Sequence, residues 1–105
     1  MFTGTANSPV TTAWLTPMAL LPQQTLTFNG GPVQFLGYAA GSAVDSNTML
    51  QIYIDGVLRV SQNAQAAMVA LLTLPAGDHT VDFMTQGLSY DVTLGDRGLT
   101  IMSLT

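Results

Sequence analysis

Apolar and polar residues in this chain fall into short blocks, each bounded by Gly, Pro, Asn or Asp. From Thr25 onward a block recurs about every ten residues, the spacing of an all-β sandwich. The blocks predict strands over Thr25–Phe28, Val33–Ala39, Leu50–Tyr53, Val57–Ser61, Met68–Leu74, His79–Met84, Leu88–Leu94 and Leu99–Leu104. Asn29-Gly30-Gly31-Pro32, Pro75-Ala76-Gly77 and Gly95–Gly98 supply turns, and Gly41–Thr48 reads as a loop. The predicted fold is all-β, a two-sheet antiparallel β-sandwich over residues 24–105. Residues 1–23 hold Pro9, Pro17 and Pro22, which block regular structure. They read as an irregular Pro-rich N-terminal arm with one short strand around Val10–Leu15.

The run Met68-Val69-Ala70-Leu71-Leu72-Thr73-Leu74 departs from alternation. Successive side chains of a strand point to opposite faces, so Met68, Ala70, Leu72 and Leu74 share one face and Val69, Leu71 and Thr73 the other. Both faces are largely apolar, and a domain this small has little besides another subunit to cover the second. The same segment, from Ser61, is rich in helix formers, with Ser61 or Asn63 available as an N-cap. A helix over Ser61–Leu74 would bury one stripe and need no partner.

Asp55-Gly56 marks a hairpin. A two-residue turn sets Ile52 opposite Arg59 and Leu50 opposite Ser61. A three-residue loop, with Gly56 left-handed as a bulge, sets Ile52 opposite Leu58 and Leu50 opposite Val60. Hydrophobic pattern selects register where one face is buried, so the bulged loop is expected.

Charge narrows the function. Charged residues are 8% of the chain, against about 25% in an ordinary soluble domain. There is no Lys or Glu; the acids are six Asp and the net charge is −4. Two scattered arginines, Arg59 and Arg97, cannot neutralise a phosphate backbone, which argues against nucleic-acid binding. Polybasic membrane attachment fails for the same reason, and no apolar window is long enough to span a bilayer. Met1–Thr5 lacks the basic and apolar regions of a secretory signal. Without cysteine there is neither a disulfide framework nor a thiolate metal site.

Few residues offer chemistry. Asp78 and His79 are neighbours, but a strand points them to opposite faces, and a triad also needs a nucleophile placed by the fold. A hydrogen-bonded His at the start of a strand is the expectation. Asp45-Ser46-Asn47-Thr48 lacks the ligand number and the Gly and Glu positions of a calcium loop and reads as an Asx-turn. Asp96-Arg97-Gly98 reads as a turn with a local ion pair, or else places Arg97 at a subunit seam. Trp14, Tyr38, Tyr53 and Tyr90 are candidates for stacking on sugar rings, and more commonly such residues serve cores or interfaces. No enzyme activity, cofactor or metal is expected.

The order of segments resembles the jelly-roll head of the tumour necrosis factor/C1q-like superfamily, in the short form of phage and bacterial fibre and surface proteins. The likeness is carried by Gly30–Phe35, Leu50–Leu58, Leu74–Val81 and Arg97–Leu104, in that order. It implies a jelly-roll-like sandwich assembled as a homotrimer, with apolar side chains on a three-fold axis and the terminal strand beside it. On this chain the seam candidates are Met68, Ala70 and Leu72, or their opposite face, with Met102 and Leu104. By the same analogy the arm would anchor a larger particle through Val10, Trp14 and Leu15. The chain lacks a collagen-like or coiled-coil stalk, which suits a capsid decoration or head/tail-associated protein better than a fibre tip. The expectation is a non-enzymatic virion subunit of a phage-like particle, made in the host cytoplasm, whose partners are its own copies and another capsid protein. The rival is a glycan- or receptor-binding module.

Overall fold

The structure is a computed structural model that describes residues 2–6, 10–11, 18–41, 48–63, 67–87 and 93–104. Ten strands occur among these residues: β1 (Phe2–Ala6), β2 (Val10–Thr11), β3 (Met18–Ala19), β4 (Gln24–Phe28), β5 (Gly31–Gly41), β6 (Thr48–Ile54), β7 (Val57–Asn63), β8 (Met68–Leu74), β9 (Gly77–Gly87) and β10 (Thr93–Ser103). All pairings are antiparallel. Sheet I has the order β1-β10-β5-β8, with β2 also on β10; sheet II has the order β3-β9-β6-β7, with β4 also on β9. From β4 onward the chain changes sheet at every step except the β6–β7 hairpin, giving the predicted two-sheet antiparallel sandwich.

The core lies between the sheets. Val33, Phe35, Met68, Leu74, Leu99 and Ile101 of sheet I meet Phe28, Leu50, Ile52, Ile54, Val81 and Phe83 of sheet II, all of them buried. Gly37 gives the inter-sheet contact its closeness. A Cβ there would lie 3.0 Å from Met68 Cε and 3.1 Å from Phe83 Cζ, so the bare backbone lets Phe83 cross from the opposite sheet.

Met68–Leu74 is a strand, not a helix. It pairs with β5 from Gly37↔Met68 to Gly31↔Leu74, and its inner residues fill the core at a spacing of two. Burial of that face overrides the helical propensity of Met, Ala and Leu.

Three local expectations are corrected. In the β6–β7 hairpin Asp55 and Gly56 carry φ of 52° and 81°, the signature of a two-residue type I′ turn, and Ile54 pairs with Val57. Further along, between Tyr53↔Leu58 and Ile52↔Val60, the ladder shifts by one, leaving Arg59 as a bulge, so that Ile52 faces Val60 and Leu50 faces Gln62. The extra residue sits in the strand and not in the turn, because the positive-φ pair matches the strand twist directly. Second, Gly95–Gly98 is not a turn but part of β10, where the register shifts between Leu94 and Arg97. Third, parts of the expected irregular arm are paired: Phe2–Ala6 lies on β10 and Met18–Ala19 on β9, while Leu20 and Leu21 join the core. The expected strands at Val10–Leu15 and Leu88–Leu94 are described only at Val10–Thr11 and Thr93–Leu94.

Candidate functional site

The outer face of sheet I follows from register, since cross-strand partners share a face. One row holds Val69, Leu36, Thr100 and Thr3; the next holds Leu71, Gln34 and Met102; a third holds Thr73 and Pro32. Leu104, whose N–H donates to the Pro32 carbonyl at 3.0 Å, extends that third row. Val69 and Leu71 are 56% and 63% exposed, Leu104 49%, Leu36 39% and Met102 38%. On the other side of Leu36 lie Tyr38, Gly98 and Thr5. These rows contain no charged residue. The described charges outside β10 lie on sheet II and its turns: Asp55, Arg59, Asp78, His79 and Asp82.

The seam candidates divide between the two sides of the strands. Met68 is fully buried, and Ala70 and Leu72 pack against the core of their own subunit. Their opposite face, Val69 and Leu71, is the one open to solvent, because the sandwich needs the inner set to meet sheet II. Met102 and Leu104 are exposed on the same outer face. Among the arm candidates, Val10 lies on β2 opposite Leu94, and Trp14 and Leu15 lie outside the described residues, as do Asp45–Asn47.

Chemistry-bearing groups gather around the β6–β7 turn and the start of β9. His79 points to Asp55, not to its neighbour Asp78, which instead accepts from the Thr27 hydroxyl. His79 Nδ1 lies 2.6 Å from Asp55 Oδ2, and its Nε2 lies 2.9 Å from the Pro75 carbonyl. Both partners are acceptors, so only the doubly protonated ring satisfies both. The hydrogen bonds to Asp55 and Pro75 accordingly raise the His79 pKa above its ordinary value, and the bonds from His79 and the Thr80 N–H lower that of Asp55. Asp55 Oδ1 accepts from Thr80 N–H at 3.0 Å, and Asp55 N–H donates to the Thr80 carbonyl at 3.0 Å. The cluster clamps the β6–β7 turn to β9. Both ring nitrogens are engaged, which leaves none for proton transfer to a substrate. The pairing spans 24 positions in sequence, and turn chemistry at Asp55-Gly56 was its only local sign.

Sequence reasoning also missed the placement of Arg97. Its side chain is 6% exposed and points into the sandwich. Nε donates to the Leu20 carbonyl at 2.5 Å and an Nη to the Gly95 carbonyl at 2.9 Å, so the guanidinium ties β10 to the segment that follows β3.

Two hollows open on the surface of the described residues. One, of about 120 Å³, opens between β1 and β4 and is lined by Phe2, Leu26, Phe28 and Ile101. The other, shallow and of about 390 Å³, is lined by Thr5, Ala6, Tyr38 and Asp96. Among the described residues no group of three or more His, Cys, Asp or Glu is placed to hold a metal ion. Neither known family models nor curated proteins match this sequence.

Proposed function

We propose that the protein is a non-enzymatic structural subunit that assembles as a homotrimer and serves as a component of a phage-like virion, a capsid decoration or head/tail-associated protein. The observation that carries this reading is the run of exposed apolar side chains on the outer face of sheet I, Leu36, Val69, Leu71, Met102 and Leu104. The largest apolar patch on a soluble protein, typically a few hundred Å², is often a functional surface. The paucity of chemistry-bearing groups points the same way, and the trimer and the particle come from the resemblance to jelly-roll virion and surface proteins.

Size-exclusion chromatography with light scattering tests the assembly. A mass near three times 11.1 kDa is expected, and a monomer at micromolar concentration overturns the reading. Immunogold labelling of particles from a producing lysate tests the location. Chain confined to the particle-free fraction defeats the virion assignment.

A glycan-binding role has one observation in its favour. Tyr38, 46% exposed, lies across Gly98, where a Cβ would come within 2.6 Å of Tyr38 Cε1. One ring face is thereby held on the sheet beside Thr5 and Asp96, a platform on which a sugar ring can stack. Binding on a glycan array that disappears with Tyr38→Ala would favour this reading over the structural one.

A further inference from the structure

We infer that Asn29-Gly30 is a site of spontaneous covalent modification, where the Asn29 side chain closes onto the Gly30 nitrogen and is converted to an aspartyl or isoaspartyl residue. The inference stands on this turn alone and does not depend on the reading of the protein as an assembling subunit.

The turn carries the chain from sheet II to sheet I. The last pair of β4 is Phe28↔Gly77 and the first of β5 is Gly31↔Leu74, so Asn29 and Gly30 lie outside both ladders. Asn29 is exposed, and among the described residues its side-chain amide has no hydrogen-bond partner. Gly30 has a φ of 89°, a conformation that side chains disfavour. A Cβ on it would also lie 3.3 Å from the Ala76 nitrogen in the neighbouring crossing from β8 to β9. The fold therefore requires glycine after Asn29, and glycine presents the least hindered main-chain nitrogen to an attacked carbonyl. Asn7, Asn47 and Asn63 are followed by Ser8, Thr48 and Ala64, whose side chains crowd the same attack.

The reaction needs only water and a base from solvent. The Gly30 nitrogen gives up its proton to the base and bonds to Asn29 Cγ. The bond from Cγ to Nδ2 breaks, and Nδ2 takes a proton and leaves as ammonia, closing a succinimide ring. Water then opens the ring at one of its carbonyls. Breaking the new bond at Cγ leaves aspartate. Breaking the original peptide bond leaves isoaspartate, with the chain now running through the side-chain carbon. Either product adds one negative charge to a chain of net charge −4. Isoaspartate also lengthens the crossing by one backbone carbon, next to Ala76 and between two fixed ladder ends.

Tertiary contacts distinguish this turn from the other one of its kind, Asp55-Gly56. There the carboxylate is held by the Thr80 N–H at 3.0 Å and by His79 Nδ1 at 2.6 Å. A carboxylate so engaged is a poor electrophile and is not free to turn onto the Gly56 nitrogen. Asn29 has neither restraint.

Peptide mass spectrometry of the folded chain aged in mildly alkaline buffer, with isoaspartate counted by enzymatic methylation, tests the site. Modification at Asn29 should run roughly tenfold or more faster than at Asn7, Asn47 or Asn63, a barrier difference of at least about 1.4 kcal/mol. Isoaspartate at Asp55 should stay at background. Asn29→Gln, with an unchanged circular dichroism spectrum, should abolish the main product, since a glutamine closes the corresponding larger ring far more slowly. A folded chain that stays unmodified at Asn29 while the urea-unfolded chain reacts there overturns the inference. So does isoaspartate that appears first at Asp55 or evenly among the asparagines.

Discussion

Arg97 is the residue whose replacement should cost this fold most in proportion to its visibility in the sequence. Arg97→Met keeps the aliphatic stem inside the sandwich and removes the guanidinium. Two hydrogen bonds from a charged donor are lost, to Leu20 and Gly95, each worth roughly 1.5–3 kcal/mol. Relief of the desolvation borne by the buried charge opposes that loss, and buried ion groups replaced by apolar ones are often neutral for that reason. Here the acceptors are main-chain carbonyls that cannot be replaced along with the donor. They stay behind, at about 1–3 kcal/mol for each left unpaired. The net expectation is a loss of about 2–4 kcal/mol, or roughly 10–20 °C in Tm for a domain of this size. Arg97→Lys should fall between, because one ammonium does not reproduce the planar fork. Urea denaturation at fixed protein concentration measures both variants. An Arg97→Met protein within about 0.5 kcal/mol of wild type, at unchanged m, would refute the bridging role.

The Asp55–His79 clamp makes stability depend on pH at both ends. His79 has a raised native pKa, so its contribution is complete below its ordinary value of 6.5 and is lost as pH rises through the raised one. Asp55 has a lowered native pKa, so its contribution is complete above 3.8 and is lost as pH falls through the lowered one. The clamp is therefore whole from about pH 4 to 6.5; with a single His in the chain, His79→Gln should flatten the decline in urea midpoint above pH 6.5, and superimposable profiles would contradict the assignment. Gly98→Ala should lift the Tyr38 ring from the sheet, since the new Cβ meets the far edge of that ring. The Tyr38 ring resonances in an NMR spectrum should shift while thermal stability changes little, and an unmoved ring would show that it does not lie on Gly98.

Much of the architecture was legible because alternation and turn chemistry act locally. The β8 boundaries coincide with the apolar run, and the strand ends at Pro75. The Asp55-Gly56 turn was visible, but its register was misjudged: a bulge at Arg59 follows a two-residue turn and sets Ile52 opposite Val60 and Leu50 opposite Gln62, and nothing local announces it. Gly95–Gly98 resembles a turn by composition yet runs inside β10: Arg97 and Gly98 pair with β5 and β1 on either side, and Gly95 and Asp96 are taken up where the register with β5 shifts.

The sequence by itself pointed to a two-sheet β protein with little charge, few groups for catalysis and one run, Met68–Leu74, apolar on both faces if extended. Those properties depend on residue types and on a period of two. Only the tertiary structure decided which face of that strand is spent on the core, leaving Val69 and Leu71 to solvent. It alone brought Asp55 to His79 and Arg97 to Leu20. Those contacts join positions dozens of residues apart; the first is set by the pairing of β6 with β9 within sheet II and the second by the stacking of the two sheets, and no local pattern encodes either.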